Sequence, residues 1–154
     1  MSTQTSSICF FLEGDITHPF SALESHYIDW LLHVAKEEST HIVQLNYIFC
    51  SDEYLLEINQ TYLNHDDYTD IITFPYKEGS EVEGDLFISL DRVEENAQTY
   101  GCKFEEELRR VMVHGLLHLT GHKDKSEVES QDMRHAEDKY LSLYQNPQSK
   151  HLQG

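Results

Sequence analysis

The stretch Phe104–Asp124, FEEELRRVMVHGLLHLTGHKD, governs how the rest of the chain is read. Phe104, Leu108 and Val111 recur at helical spacing, and His114 and His118 continue the same face. Glu105–Glu107 place favourable negative charge at the N-terminus of this helix, and Gly121 stands just beyond its end, where a left-handed residue stops a helix. The spacing therefore predicts a helix over Phe104–Leu119 with one apolar stripe. Two imidazoles aimed inward along that stripe need partners, because a buried polar group left without one costs about 1–3 kcal/mol.

Outward from this helix, Ser126 and Glu129 form a capping box for a last helix carrying Met133, Ala136, Tyr140 and Tyr144. A helix from Asp91 or Arg92 to Tyr100 ends at Gly101. Before it come the strands Ile71–Phe74 and Asp85–Leu90, joined by the charged, Gly-bearing stretch Glu78–Gly84. Val43, Leu45, Tyr47 and Phe49 alternate along a half-buried strand, and Ser51 and Asp52 cap a helix to about Tyr62. Ser7–Leu12 reads as a short strand, followed by a helix that opens on Pro19 and a Ser21–Glu24 capping box. Four strands and about five helices, interleaved unevenly, predict an α+β single domain with a mixed sheet. That domain spans residues 1–145; the polar tail 146–154 is expected to fray.

The chain has 154 residues, which suits one domain, and a formal charge of −17. Residues 1–80 carry 13 acidic side chains against Lys36 and Lys77. A surface of that sign excludes recognition of DNA, of RNA or of anionic membranes through bulk positive charge. Cys9, Cys50 and Cys102 are odd in number and lack a CxxC pair, which fits neither a disulfide framework nor a cysteine zinc site. Met1–Ser7 has no basic region and leads into no long apolar run. The expectation is a cytoplasmic domain without a membrane.

His114 and His118 lie one helical turn apart, so both rings can reach one ion. Ten histidines would give about 0.6 such pairs by chance, so the spacing alone is weak, and core hydrogen bonds are the competing account. Along a continuing helix His122 would lie about 12 Å from His114, too far to share an ion. A turn at Gly121 brings Asp124 back as the favoured third ligand, with His122 its rival. Three protein ligands leave a fourth position open for water, which is the catalytic arrangement. Gly115 stands where the helical metalloproteases carry Glu, which argues against a peptidase of that kind.

These residues resemble the YbeY family, zinc-dependent endoribonucleases of rRNA maturation. The family's mark is HGxLHLxGxDH, and His114–Gly121 agrees with each fixed position of its first eight. Thr69-Asp70-Ile71-Ile72-Thr73-Phe74-Pro75 is similar to its TDVLSFP, and Gly84-Asp85-Leu86-Phe87-Ile88-Ser89 to its GDIxIS strand. Asn59-Gln60-Thr61-Tyr62 and the Met133…Glu137 pair fall in order, so the resemblance covers roughly residues 40–144.

The resemblance implies a four-stranded sheet packed by helices, with a metal site at the end of a central helix. It implies one zinc ion (or another divalent transition metal) and cleavage of phosphodiester bonds in single-stranded RNA. The implied role is 16S rRNA 3′-end maturation and ribosome quality control. The implied partners are ribosomal RNA and the small ribosomal subunit, with a ribosomal protein or an assembly GTPase. Two positions depart from the family: Asp124 replaces its third histidine, and Leu63 replaces the arginine of its NxxYR element, a residue suited to holding phosphate. Leu63 therefore favours an alternative, a metal-stabilised ribosome-assembly factor with weak or no nuclease activity.

Asp70 is a candidate for positioning a ligand or water, or for bonding its own loop backbone. His65 is a weak catalytic candidate near Leu63, or an exposed loop residue. Asp85 supports the site, faces a partner or turns the chain after Gly84. The nine tyrosines fall mostly at core-facing spacings, which predicts packing rather than base stacking. Lys103, Arg109, Arg110, Lys123, Lys125, Arg134 and Lys139 gather positive charge around the histidines.

Overall fold

Alternating apolar residues in the stretch 41–50 build the strand to which the other elements attach. Residues 7–17, 19 and 23–144 are described in the structure, a computed structural model. The elements run β1 (Ile8–Leu12), α1 (Glu24–Glu37), β2 (His41–Cys50), α2 (Asp52–Leu63), β3 (Ile71–Lys77), β4 (Glu81–Ser89), α3 (Leu90–Tyr100), α4 (Phe104–Thr120) and α5 (Glu127–Leu143). The sheet order is β1-β2-β4-β3; β1, β2 and β4 are parallel and β3 is antiparallel to β4. The expected α+β domain with a mixed four-stranded sheet and five helices is what forms.

Helix α4 is the centre of the molecule. Leu108, Met112, Val113, Leu116, Leu117 and Leu119 are fully buried, and Tyr47 from β2 donates to the Met112 carbonyl at 2.8 Å. Helix α1 packs beside it on the same sheet face, and Trp30 Nε1 donates to the Tyr140 carbonyl at 2.8 Å, tying α1 to α5. Helix α2 covers the opposite face through Leu55 and Ile58, against Cys50, Ile72, Phe74 and Phe87. That second layer explains why β2 is not half-buried throughout: Tyr47, Ile48, Phe49 and Cys50 are consecutive buried residues.

Strand β4 begins four residues before the expected Asp85. Gly84 lies inside it, where the neighbouring strand's backbone crowds a side chain: a Cβ there would stand 3.0 Å from the Phe74 carbonyl oxygen, with Leu119 Cδ1 of α4 in contact at 3.4 Å. The true turn holds Gly79, whose φ is +100°. Strand β3 runs past Phe74 through Pro75, which an edge strand tolerates. Ser51, Ser126 and Gly101 cap as expected. Helix α1 instead starts at Glu24 with Leu23 as an N-cap that makes no side-chain bond; Ser21 lies outside the described residues, as does the tail 146–154. Of the nine tyrosines, Tyr54, Tyr62, Tyr68, Tyr76 and Tyr100 are exposed, so the expected core packing holds for the minority. Among the described residues no helix is long and apolar enough to cross a membrane.

Gly115 is where α4 meets the sheet. A Cβ there would approach Leu86 Cδ2 to 2.3 Å and Ile71 Cδ1 to 2.8 Å. Gly115→Ala gains about 1 kcal/mol of helix propensity but must displace the fully buried Leu86. A net loss of about 1–2 kcal/mol is expected, read from the urea midpoint at unchanged slope.

Candidate metal centre

The residues converge where α4 ends. Gly121 adopts φ +121°, and the amides of Gly121 and His122 donate back to the carbonyls of His118 and Leu117 at 3.2 and 3.1 Å. This turn reverses the chain and sets Asp124 Oδ2 3.5 Å from His114 Nε2. His122 leaves in the other direction: its Nε2 meets Glu38 Oε1 at 2.8 Å, and the same carboxylate accepts from the Tyr140 hydroxyl. The structure therefore brings Asp124 beside His114 and pairs His122 with Glu38.

His114 is only partly buried and His118 is exposed, against the expectation that both rings point into the core. The apolar stripe of α4 is so broad that Gly115, Leu116 and Leu117 take the core positions, which leaves both rings on a cleft wall. His114 Nδ1 has a partner of its own, Glu137 Oε2 at 2.6 Å. Arg110 Nη1 donates to the other oxygen of Glu137 at 2.8 Å, while Arg110 Nη2 donates to Asp138 at 2.6 Å. The hydrogen bond with Glu137 raises the His114 pKa above the usual 6.5; burial opposes it, and the charges of Glu137, Asp124 and Asp70 add to it.

Two clefts meet at this point, and Ile71, His114 and Asp124 line both. One, of about 490 Å³, runs past Leu63, His65, Tyr68 and His118, and among the described residues no Lys or Arg lines it. The other, of about 300 Å³, holds Asp70, Tyr100, Glu107, Arg110, Arg134 and Glu137. Burial raises the Asp70 pKa, opposed by His114 and by backbone hydrogen bonds at Asp70 and Ile71. Asp70 is thus bonded to its own loop, as one of its two readings expected, and it lines a cleft with His114. His65 is an exposed loop residue on the wall of the Leu63 cleft. Asp85 neither turns the chain nor reaches the histidines. Its strand neighbours Gly84 and Leu86 face α4, so Asp85 faces away and accepts from Asn46 at 3.0 Å and Tyr76 at 2.8 Å.

Among the described residues no group of three His, Cys, Asp or Glu side chains stands gathered closely enough to hold an ion. The donor chemistry nevertheless fits one. A carboxylate engages His114 Nδ1, the usual outer partner of a ligating histidine, and Nε2 is turned toward Asp124; in the neutral ring with the proton on Nδ1, Nε2 carries the lone pair a metal would take. His118 stands on the same cleft wall.

Glu137 is a residue that periodicity alone undervalued. It sits on the buried stripe of Met133 and Tyr140, and a carboxylate in such a stripe signals a paired burial. Glu107, read from the sequence as helix-end charge, is likewise 5% exposed in the stripe of Leu108 and Val111.

The raised His114 pKa has a sign that can be checked in chelator-treated protein. Stability from the His114–Glu137 pair is full below the unfolded histidine pKa near 6.5 and is lost as pH rises through the raised folded value. The urea midpoint of the wild type is expected to fall across that window, and that of Glu137→Gln to stay flat there.

Comparison with known proteins gives consistent matches. The family model described as Endoribonuclease YbeY matches residues 14–145. An endoribonuclease YbeY of Flavobacterium psychrophilum is 52% identical over 121 residues, covering 79% of this chain and 86% of the relative. That of Christiangramia forsetii is 42% identical over 141 residues, covering 92% and 96%. A Thermotoga maritima protein solved in solution superposes with a TM-score of 0.66 at 32% identity, covering 87% of this chain and 86% of that one.

Proposed function

Because the chain belongs to the YbeY family of endoribonucleases, we propose that it cleaves single-stranded RNA, with one zinc ion or a related divalent metal, in 16S rRNA 3′-end maturation and ribosome quality control. The supporting observation is the His114 ring held between Glu137 and Asp124 at the junction of two clefts.

His114, His118 and Asp124 would hold the ion, which when bound supplies a Lewis acid and an acidified water. Glu137 fixes the His114 ring and tautomer, and Arg110 holds Glu137 in place. Asp70, whose burial makes it more basic than an ordinary aspartate, is the general-base candidate on the same cleft; it would take a proton from the attacking hydroxyl or water. His65, on the wall of the Leu63 cleft, is the weaker candidate. Ribosomal RNA within the small subunit is the proposed substrate. A ribosomal protein or assembly GTPase would supply the affinity that a −17 chain lacks for bare RNA, in the cytoplasm.

A second reading has its own observation. Leu63 is 43% exposed on a cleft that no described cation lines, so that side cannot grip phosphate by charge. An assembly factor that binds but cuts poorly would look this way. A peptidase would not: Gly115, packed on Leu86 and Ile71, leaves no room for a glutamate base at that position.

Incubating chelator-treated and zinc-restored protein with single-stranded RNA decides between them. Zinc-dependent cleavage, together with unprocessed 16S 3′ ends in cells carrying only a His114→Ala copy, supports the nuclease. Intact RNA with continued co-sedimentation on ribosomal particles supports the assembly factor.

A further inference from the structure

The cleft opposite Leu63 carries groups that neither the ion nor its supports use. Glu107 is 5% exposed and lines this cleft, and among the described residues its carboxylate has no hydrogen-bond or ion-pair partner. Its oxygens are not among the sealed, unpartnered polar atoms of the described residues, so the small exposed part of Glu107 is the end that faces the cleft, where a ligand's donors can replace water. Its surroundings are of mixed sign: burial raises its pKa, the charges of Asp70 and Glu137 raise it further, and Arg110 and Arg134 pull it down. Arg134, on α5, is exposed on the same cleft and also has no ion-pair partner among the described residues, whereas Arg110 is committed to Glu137 and Asp138. Tyr100, at the end of α3, presents a ring that is 64% exposed at the same cleft.

We propose that this cleft is a nucleotide subsite for a guanosine flanking the scissile bond of single-stranded RNA, with Glu107 reading the base, Tyr100 stacking on it and Arg134 holding its phosphate. The proposal rests on the nuclease reading of the adjoining site. Guanine follows from donor counting. Its Watson–Crick edge offers two adjacent donors, N1–H and the N2 amino group, to the two oxygens of one carboxylate. Adenine and cytosine each set one amino donor beside an acceptor, and uracil sets one N–H between two acceptors, so each would face Glu107 with a repulsive lone pair. The aromatic ring suits any base, and the guanidinium suits any phosphate. Selectivity therefore falls on Glu107 alone. The arrangement also places the phosphate-holding cation across the metal centre from Leu63, in a cleft with a built-in arginine.

The test uses full-length, zinc-loaded protein and 2′-O-methyl tetranucleotides, which cannot be cut by attack of their own 2′ oxygen and whose integrity is checked after each binding measurement. A guanosine-containing tetranucleotide is expected to bind at least tenfold tighter than its A, C or U counterparts. Glu107→Gln, close in shape to the native residue, should bring the four within about threefold of one another. Arg134→Ala should weaken all four alike, about tenfold, and reduce the slope of log affinity against log salt by about one. Tyr100→Ala, at an exposed position the fold does not need, should weaken guanosine binding about fivefold or more. Equal affinity for the four bases in the wild type, or a guanosine preference that survives Glu107→Gln, overturns the proposal. Competition by free 5′-GMP as strong as that of the tetranucleotide also overturns it, by assigning the cleft to a free nucleotide. If guanosine selectivity is found while cleavable RNA stays intact, the nuclease reading fails and the subsite stands.

Discussion

Replacing Glu137 by glutamine is expected to weaken zinc binding by about ten- to a hundredfold, measured by competition with a chromogenic chelator. The carboxylate accepts from His114 Nδ1 at 2.6 Å and so holds the ring with Nε2 free to ligate; an amide can present its NH₂ to that nitrogen and favour the wrong tautomer. Glu137→Ala should also cost stability, on the order of 3 kcal/mol, because Arg110 would lose one of its two carboxylate partners at a site where Glu137 is 6% exposed. That figure sits at the low end for a broken buried pair, since Arg110 keeps Asp138 and its side chain is 24% exposed. Unchanged zinc affinity in Glu137→Gln would show that His114 is not a ligand through Nε2.

The second large effect concerns the third ligand. Asp124→Ala and His118→Ala are each expected to reduce bound zinc from about one per chain to below a tenth after gel filtration, by elemental analysis. His122→Ala should keep the metal and instead lose about 1–3 kcal/mol of stability, because Glu38 is left with the Tyr140 hydroxyl as its remaining side-chain partner at a joint between α1, α5 and the loop after α4. A metal-free His122→Ala with a metal-bound Asp124→Ala would reverse the assignment.

Much of the architecture was legible because its signals are local. Ser51, Gly101 and the Ser126–Glu129 box cap their helices through bonds spanning three or four residues, and the spacing of Phe104, Leu108 and Val111 needs one helix to be read. The misread elements are those whose pattern was set by distant neighbours. Gly84 looked like a turn and is a strand residue crowded by Phe74 and Leu119. Strand β2 looked half-buried and is covered twice, because α2 folds over a face that the strand's own alternation leaves open. The tyrosines looked like core residues because helical and strand spacing identify a face without saying whether anything packs on it.

At the site the same division holds. From the sequence alone came two histidines one turn apart, a glycine to end their helix, and a choice between His122 and Asp124. Periodicity and caps determine these, since each depends on bonds no longer than a helical turn. Only the tertiary structure decided which of the two turns toward His114. The deciding contact comes from Glu38, 84 residues away at the end of α1, which draws His122 off and leaves Asp124 facing the cleft. It also decided that Glu137, 23 residues along, orients the ring. No spacing rule reaches such pairs: which side chains meet across α1, α4 and α5 depends on how whole helices pack, and that is settled by the shape of the core.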